Sequence, residues 1–337
     1  MRRIAVINQK GGVGKTTTTA NLAAALALSG ADVFLVDLDP QGHLSLHFGV
    51  EPGDGQPTVY DVLTAGTPIR EAAVKVREHV TIVPADIDLA GAESELVSVM
   101  GREVLLREAI TAIGEGFDYL LIDCPPSLNV LTVNALVACE EVLIPLQAHF
   151  LALQGLGKLL DTVALVRQRI NPRLTVSGVV LCMHESATRL ANEVVDDLLK
   201  YLDSSRRTDA PWAHARLFDT CIRRNIKLAE CASFGQTIFD YAPKSNGAAD
   251  YAKLAEEIFQ LPDDSVRVGE NGAALRTKAV PLDETDSPAA IAGNGRGPVP
   301  TGTDRARSEV SLPIASAPHA AGIPAESASL RPDDRRA

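Results

Sequence analysis

Residues Gln9 to Thr19 read Gln-Lys-Gly-Gly-Val-Gly-Lys-Thr-Thr-Thr-Thr, between the apolar run Ile4–Ile7 and a helix pattern reaching about Leu28. These types at this spacing suit the binding of clustered negative charge. Consecutive backbone N–H groups at a helix N-terminus are unpaired donors at the positive end of the helix dipole. Gly11, Gly12 and Gly14 clear side chains from a loop that must wrap closely round phosphates, with Val13 between them. Lys15 can reach the β- and γ-phosphates of a nucleoside triphosphate, the Thr16 hydroxyl suits a Mg²⁺ ligand, and Thr17 suits a further phosphate contact. Lys10 is a second lysine, ahead of the usual one. Gln9 stands where the general G-x-x-x-x-G-K-[ST] pattern has glycine, so the spacing is the K-G-G-x-G-K-T alternative.

Two acids complete the set. Val33-Phe34-Leu35-Val36-Asp37 reads as a buried parallel strand running into Leu38-Asp39-Pro40-Gln41-Gly42, and Phe117 to Asp123 reads as another, followed by Cys124-Pro125-Pro126-Ser127. A carboxylate at the carboxyl end of a parallel strand lies where such sheets bind ligands. Asp123 is placed to hold Mg²⁺ through its water shell. The plain alternatives are a turn residue before Pro40 for Asp39 and a strand-end acid for Asp123.

With Lys10, the D-x-D-P-Q-G run at Asp37–Gly42 and the D-C-P-P-S run at Asp123–Ser127, the chain resembles the ParA/MinD superfamily of deviant Walker A ATPases, in its short ParA (Soj) type. The resemblance runs from about Arg3 to about Ile258. It implies ATP and Mg²⁺ as cofactors and ATP hydrolysis as the activity. Lys10 then reaches across a homodimer to the partner's nucleotide, while Lys15 and Asp39 act in catalysis, with Asp39 preparing the water. Thr16, Asp39 and Asp123 organise the metal, Asp37 supports that region, and Asn225 falls where the family contacts adenine. The resemblance further implies non-specific double-stranded DNA and a ParB-like activator protein as partners, and chromosome or plasmid partition as the role. A related ATPase that positions another cargo, an electron carrier like the nitrogenase iron protein, and a MinD-like membrane-cycling ATPase are the alternatives.

The DNA surface is where the chain departs from the family pattern. Arg223 stands where the family has proline, and Glu185-Ser186-Ala187-Thr188 replaces its D-G-R-T run. Net charge is −11, yet Lys200 to Lys227 holds Lys200, Arg206, Arg207, Arg216, Arg223, Arg224 and Lys227 against Asp203, Asp209 and Asp219. Such a stretch serves either as a solvated face or as a phosphate-contacting surface. Arg224 and Lys227 match the family's DNA-binding positions best, with Arg189 as the substitute for its missing arginine.

The elements that must position these groups follow from the wider pattern. Hydrophobic residues make up 46% of the 337, enough for a substantial core. Alternating strand and helix patterns predict an α/β fold with a mostly parallel twisted sheet and helices on both faces. Residues 1–261 form the expected ATPase domain. Residues 262–337 are rich in Pro, Ala, Gly and Ser, contain no aromatic residue, and read as a disordered tail. No apolar run spans a membrane, no basic amphipathic anchor ends the chain, and Met1-Arg2-Arg3 leads straight into a strand. The expected location is cytoplasmic and nucleoid-associated. Five cysteines without a C-x-x-C pair fit buried free thiols at Cys124, Cys139 and Cys182, and His43 and His47 read as surface histidines rather than metal ligands.

Overall fold

The computed structural model describes residues 1–53, 55–149, 152–185 and 189–260, with the side chains of Arg189 and Leu190 excepted. The expected tail at 262–337 and the Ser186–Thr188 segment lie outside the described residues.

The strands are β1 (Arg2–Val6), β2 (Val33–Asp37), β3 (Val74–Arg77), β4 (Val80–Val83), β5 (Tyr119–Asp123), β6 (Glu141–Leu146), β7 (Thr175–His184), β8 (Arg216–Leu217) and β9 (Ile222–Arg223). They form one sheet in the order β3-β4-β2-β5-β1-β6-β7-β8, with β9 also pairing β7. Every pairing is parallel except that between β3 and β4. The expected parallel sheet is therefore present, with an antiparallel edge and two short strands that the sequence pattern did not mark.

The helices are α1 (Lys15–Leu28), α2 (His43–His47), α3 (Val59–Thr64), α4 (Leu89–Glu95), α5 (Leu105–Thr111), α6 (Val130–Ala138), α7 (Ala152–Arg169), α8 (Arg189–Ser205), α9 (Ile226–Ser233), α10 (Ile238–Tyr241) and α11 (Asn246–Phe259). Period-two alternation divides the sheet between two cores. Ala5 and Ile7 face one core with Phe34, Val36 and residues of α6 and α7. Ile4 and Val6 face the other with Leu35 and residues of α1 and α11. Buried Ala23, Ala24 and Ala25 let α1 lie close to the sheet.

Register carries the fold into the site. β5 lies between β1 and β2, and Val6 and Asp37 both align with Asp123. The loop from β1 to α1 and both strand-end acids thus meet at one carboxyl edge.

Candidate functional site

The loop after β1 is braced before it turns. Ile7 donates its amide to the Leu143 carbonyl at 3.1 Å, and Asn8 donates from Nδ2 to the Pro145 carbonyl at 2.8 Å while its Oδ1 accepts from the Lys10 amide at 3.0 Å. Gly12 and Gly14 have φ of 72° and 93°, in the left-handed region that side chains disfavour. Gly14 begins α1 with no side-chain cap, so the first-turn amides are left available to an anion. The helix starts at Lys15, directly after the left-handed turn at Gly14, and ends at the expected Leu28.

The two lysines have different settings. Lys15 is buried and its ammonium donates to the Lys10 carbonyl at 3.3 Å. Burial pushes its pKa down, against the pull of Asp123 and Asp39. Lys10 is exposed, and its ammonium meets Nε2 of His149, a residue the motif reading passed over.

Asp123 receives the Thr16 hydroxyl on Oδ2 at 2.6 Å and the Thr19 hydroxyl on Oδ1 at 3.0 Å. Asp37 accepts from the Ser45 amide at 2.9 Å, the Ser45 hydroxyl at 2.8 Å and the Asp39 amide at 3.2 Å. Desolvation raises the pKa of both carboxyls, and proximity to Asp37 adds to the rise at Asp123. Asp39 is buried in the turn, where its Oδ1 accepts the Gln41 amide at 3.0 Å. A buried acid with two hydroxyls on it beside a buried lysine suits a hard divalent cation and a phosphate group. Thr16 and Asp123 already touch, so the residues fit Mg²⁺ with a triphosphate.

Beyond Gly12, Gly14 and Thr17 opens a mainly apolar cavity of about 540 Å³, also lined by Met183, Asn225 and Leu228. Its size and lining suit a planar base. Asn225 caps α9, accepting the Lys227 amide at 2.9 Å. Arg223 fastens this wall to α11: its amide and Nε each donate to Asp250 at 3.0 Å, and Nη2 donates at 2.6 Å. The departure at Arg223 thus has a structural role. Cys182 backs the loop, 3.6 Å from where a Gly14 Cβ would lie.

Four of the five cysteines, Cys124, Cys139, Cys182 and Cys231, are buried. The expectation of surface histidines is corrected at His47. It is 2% exposed with Nε2 3.8 Å from the Cys231 sulfur, and burial lowers its pKa to about 4. The i, i+4 spacing does not tell which face of the short helix α2 turns inward.

The DNA-binding candidates do not all present free charge. Arg224 pairs with Glu185 at 3.0 Å, and Lys227 pairs with Glu230 at 2.8 Å while its ammonium lies 5.5 Å from the Tyr241 ring centroid. Lys200 and Arg206 pair with Asp197 and Asp203. Arg207 and Arg216 have no carboxylate partner among the described residues. Arg189 begins α8, and its side chain lies outside the described residues. Among the described residues no helix is long and apolar enough to cross a membrane.

A family model described as an AAA domain matches residues 1–176. The chain is 43% identical over 256 residues to the sporulation initiation inhibitor protein Soj of Bacillus subtilis, covering 76% of this chain and 97% of that one. It is 42% identical over 267 residues to the chromosome partitioning protein ParA of Caulobacter vibrioides, covering 78% and 96%. Its fold is similar to the crystal structure of cobyrinic acid a,c-diamide synthase from Mycobacterium smegmatis with bound ATP analog and magnesium. That likeness has a TM-score of 0.65 at 37% identity, over 77% of this chain and 94% of the other.

Proposed function

The chain belongs to the Soj/ParA family of P-loop partition ATPases, and we propose that its ATP-bound form is a homodimer that holds non-specific duplex DNA until a ParB-like partner stimulates hydrolysis. One observation carries this reading: Lys15 is buried within the loop while Lys10 stands exposed beside it. A buried ammonium serves its own subunit's phosphates, and an exposed one on the same loop, here resting on His149, can turn to a second subunit's.

ATP supplies the phosphoanhydride bond, and Mg²⁺ neutralises charge on its phosphates. Thr16 and Asp123 hold the cation. Lys15 and the first-turn amides of α1 bind the phosphates, Asn225 borders the base, and Asp39 orients the attacking water. The output is a timed change of state, so slow turnover suits it. On this reading the protein is cytoplasmic and nucleoid-associated.

Exposed ion pairs are weak, so DNA phosphates can displace Glu185 from Arg224 and Glu230 from Lys227. Those same pairs favour a second reading, in which the dimer binds a matrix other than DNA to position another cargo. An iron–sulfur carrier is disfavoured by the burial of four of the five thiols.

The test is retention on non-specific duplex DNA with ATP, ADP or no nucleotide, over a salt series, for wild type and Lys10→Ala. Salt-sensitive retention that requires both ATP and Lys10 supports the DNA reading. ATP-dependent dimerisation without retention supports the second reading, and dimerisation that is indifferent to ATP contradicts both.

A further inference from the structure

The parallel strands begin at the edge of the sheet opposite the nucleotide site, and that edge holds a cavity of about 380 Å³. Arg2, Glu141 and Arg216, which open β1, β6 and β8, border it. Arg167, near the end of α7, and the turn from Thr208 to His214 close its sides. The five residues of β1 separate it from the phosphate loop. Sheets of this kind bind their usual ligands at the carboxyl edge, and none of the lysines or acids of the ATP site borders this cavity.

The floor is polar and fixed. Arg2 is 7% exposed and donates Nε to Glu141 Oε1 at 2.5 Å, Nη2 to Oε2 at 2.7 Å and Nη1 to the Ile258 carbonyl at 2.6 Å. The pair cancels its own charge, yet each Glu141 oxygen keeps capacity for a further donor. The hydroxyls beside it are also left as acceptors. Ser177 already donates to the Val142 carbonyl at 2.9 Å, and Thr208 to the Ser205 carbonyl at 2.7 Å.

The rim is cationic. The Arg216 and His214 side chains are exposed and have no hydrogen-bond or ion-pair partner among the described residues. Arg167 Nη2 lies 3.3 Å from Asp209 Oδ1, and that carboxylate is fully exposed, so the pair is weak. Donors therefore stand at the mouth and acceptors at the base.

We propose that this cavity is a second binding site, for a small phosphorylated polyol of the sugar phosphate class. Its phosphate lies between Arg167 and Arg216, whose planar forks match phosphate oxygens, with the His214 ring N–H as a further donor. Its hydroxyls donate to Glu141, Ser177 and Thr208. A bare anion would leave the acceptors at the base unmatched, and a neutral sugar would leave the rim cations unmatched. The volume lies at the low end of small-molecule pockets, about 300–1,000 Å³. The site is independent of dimerisation and of DNA.

The test uses the full chain with its nucleotide site filled by Mg²⁺ and ADP, so that no probe binds at the phosphate loop. Ribose 5-phosphate, glucose 6-phosphate, inorganic phosphate and free ribose are titrated in calorimetry, and the footprint is read by hydrogen exchange. At least one sugar phosphate is expected to bind once per chain, about tenfold more tightly than inorganic phosphate, with no binding of ribose. Protection is expected over 208–216. Arg216→Gln removes an exposed side chain without a partner. It is expected to bind the sugar phosphate about tenfold more weakly while keeping the wild-type ADP affinity and thermal midpoint. Ser177→Ala is expected to weaken the sugar phosphate several-fold and to leave inorganic phosphate unchanged. Four outcomes overturn the proposal: no binding of either sugar phosphate at about 10 mM, binding that falls as ADP is raised, inorganic phosphate held as tightly as either sugar phosphate, or equal binding by Arg216→Gln. If that variant instead loses only retention on duplex DNA, the rim belongs to the DNA surface and the proposal falls.

Discussion

Asp37 and Asp123 stand opposite one another in register at the carboxyl ends of adjacent strands, and neither side chain is exposed. Each is pushed above the ordinary carboxylate range by burial, Asp37 to about 6 and Asp123 to about 8. A carboxyl whose folded pKa is raised binds more protons in the native state than in the unfolded chain. Its contribution to stability is then present below the unfolded pKa and lost as pH rises through the folded one. Buried His47 has the opposite sign: its pKa is lowered to about 4, so its contribution is present above about 6.5 and lost as pH falls. Of these three groups, only Asp123 still titrates well above about pH 6.5. Without nucleotide or metal, the urea midpoint is expected to fall between about pH 6.5 and 8.5. Asp123→Asn should flatten that fall, and an equal fall in the variant contradicts the assignment to Asp123.

Metal binding needs the ionised acid, so it draws out the proton that burial favours. Loading Mg²⁺ and nucleotide near pH 7 should therefore release protons, measurable as a buffer-dependent heat in calorimetry. A heat independent of the buffer's ionisation enthalpy would count against a protonated pair in the empty site.

The two lysines should separate by assay. Lys15→Ala removes a buried ammonium from the phosphate loop and should weaken nucleotide binding roughly ten- to a hundredfold, as for the loss of a charged hydrogen bond. Lys10→Ala removes an exposed one and should leave binding to the single subunit within a few-fold of wild type, while abolishing ATP-dependent dimerisation. Calorimetry measures the first effect and light scattering the second. Equal loss of nucleotide binding in both variants would place Lys10 in its own subunit's site.

What was legible in the sequence was local. Gly11, Gly12, Gly14, Lys15 and Thr16 sit within one loop, and apolar runs ending in Asp37 and Asp123 point to strands without any tertiary knowledge. The residues that were missed act at a distance. Thr19 meets Asp123 across 104 positions and His149 meets Lys10 across 139. Ser45 is only eight positions from Asp37, but a serine on a short helix carries no sign of which carboxylate it will serve. The β8 and β9 strands have two residues each, too few for a period to emerge. Arg223 read as a departure because the family has proline there, and its structural role was hidden because its partner, Asp250, lies on a helix whose packing the sequence does not display.

Two glycines should divide stability from ligand binding. A Cβ on Gly178 would lie 2.5 Å from the Arg216 carbonyl oxygen and 2.7 Å from the Phe218 ring, so β8 must shift. Gly178→Ala should cost about 1–3 kcal/mol, the usual range for overpacking, measured by urea unfolding. A Cβ on Gly247 would lie 3.0 Å from Leu228 and 3.2 Å from Asn225 Nδ2, both of which border the base cavity. Gly247→Ala should raise the nucleotide dissociation constant several-fold. An unchanged constant would show that the Asn225 wall does not touch the base.

The ion pairs on the basic face give a prediction with two signs. Arg224 and Lys227 each have a carboxylate within 3.0 Å, Glu185 and Glu230. If DNA phosphates replace those carboxylates in the ATP-bound form, Arg224→Ala and Lys227→Ala should weaken retention. Each substitution should also make the dependence of log affinity on log salt shallower, by about 0.9 for every phosphate that is no longer neutralised. Glu185→Gln and Glu230→Gln should do the reverse at low salt, because they free a cation without moving it and remove a negative charge that repels the duplex. Strengthening by the glutamine variants together with weakening by the alanine variants identifies this face as the one that meets DNA. If instead the alanine variants leave the salt slope unchanged, these pairs are structural and the duplex is held elsewhere, with Arg207 and Arg216 the next side chains to remove.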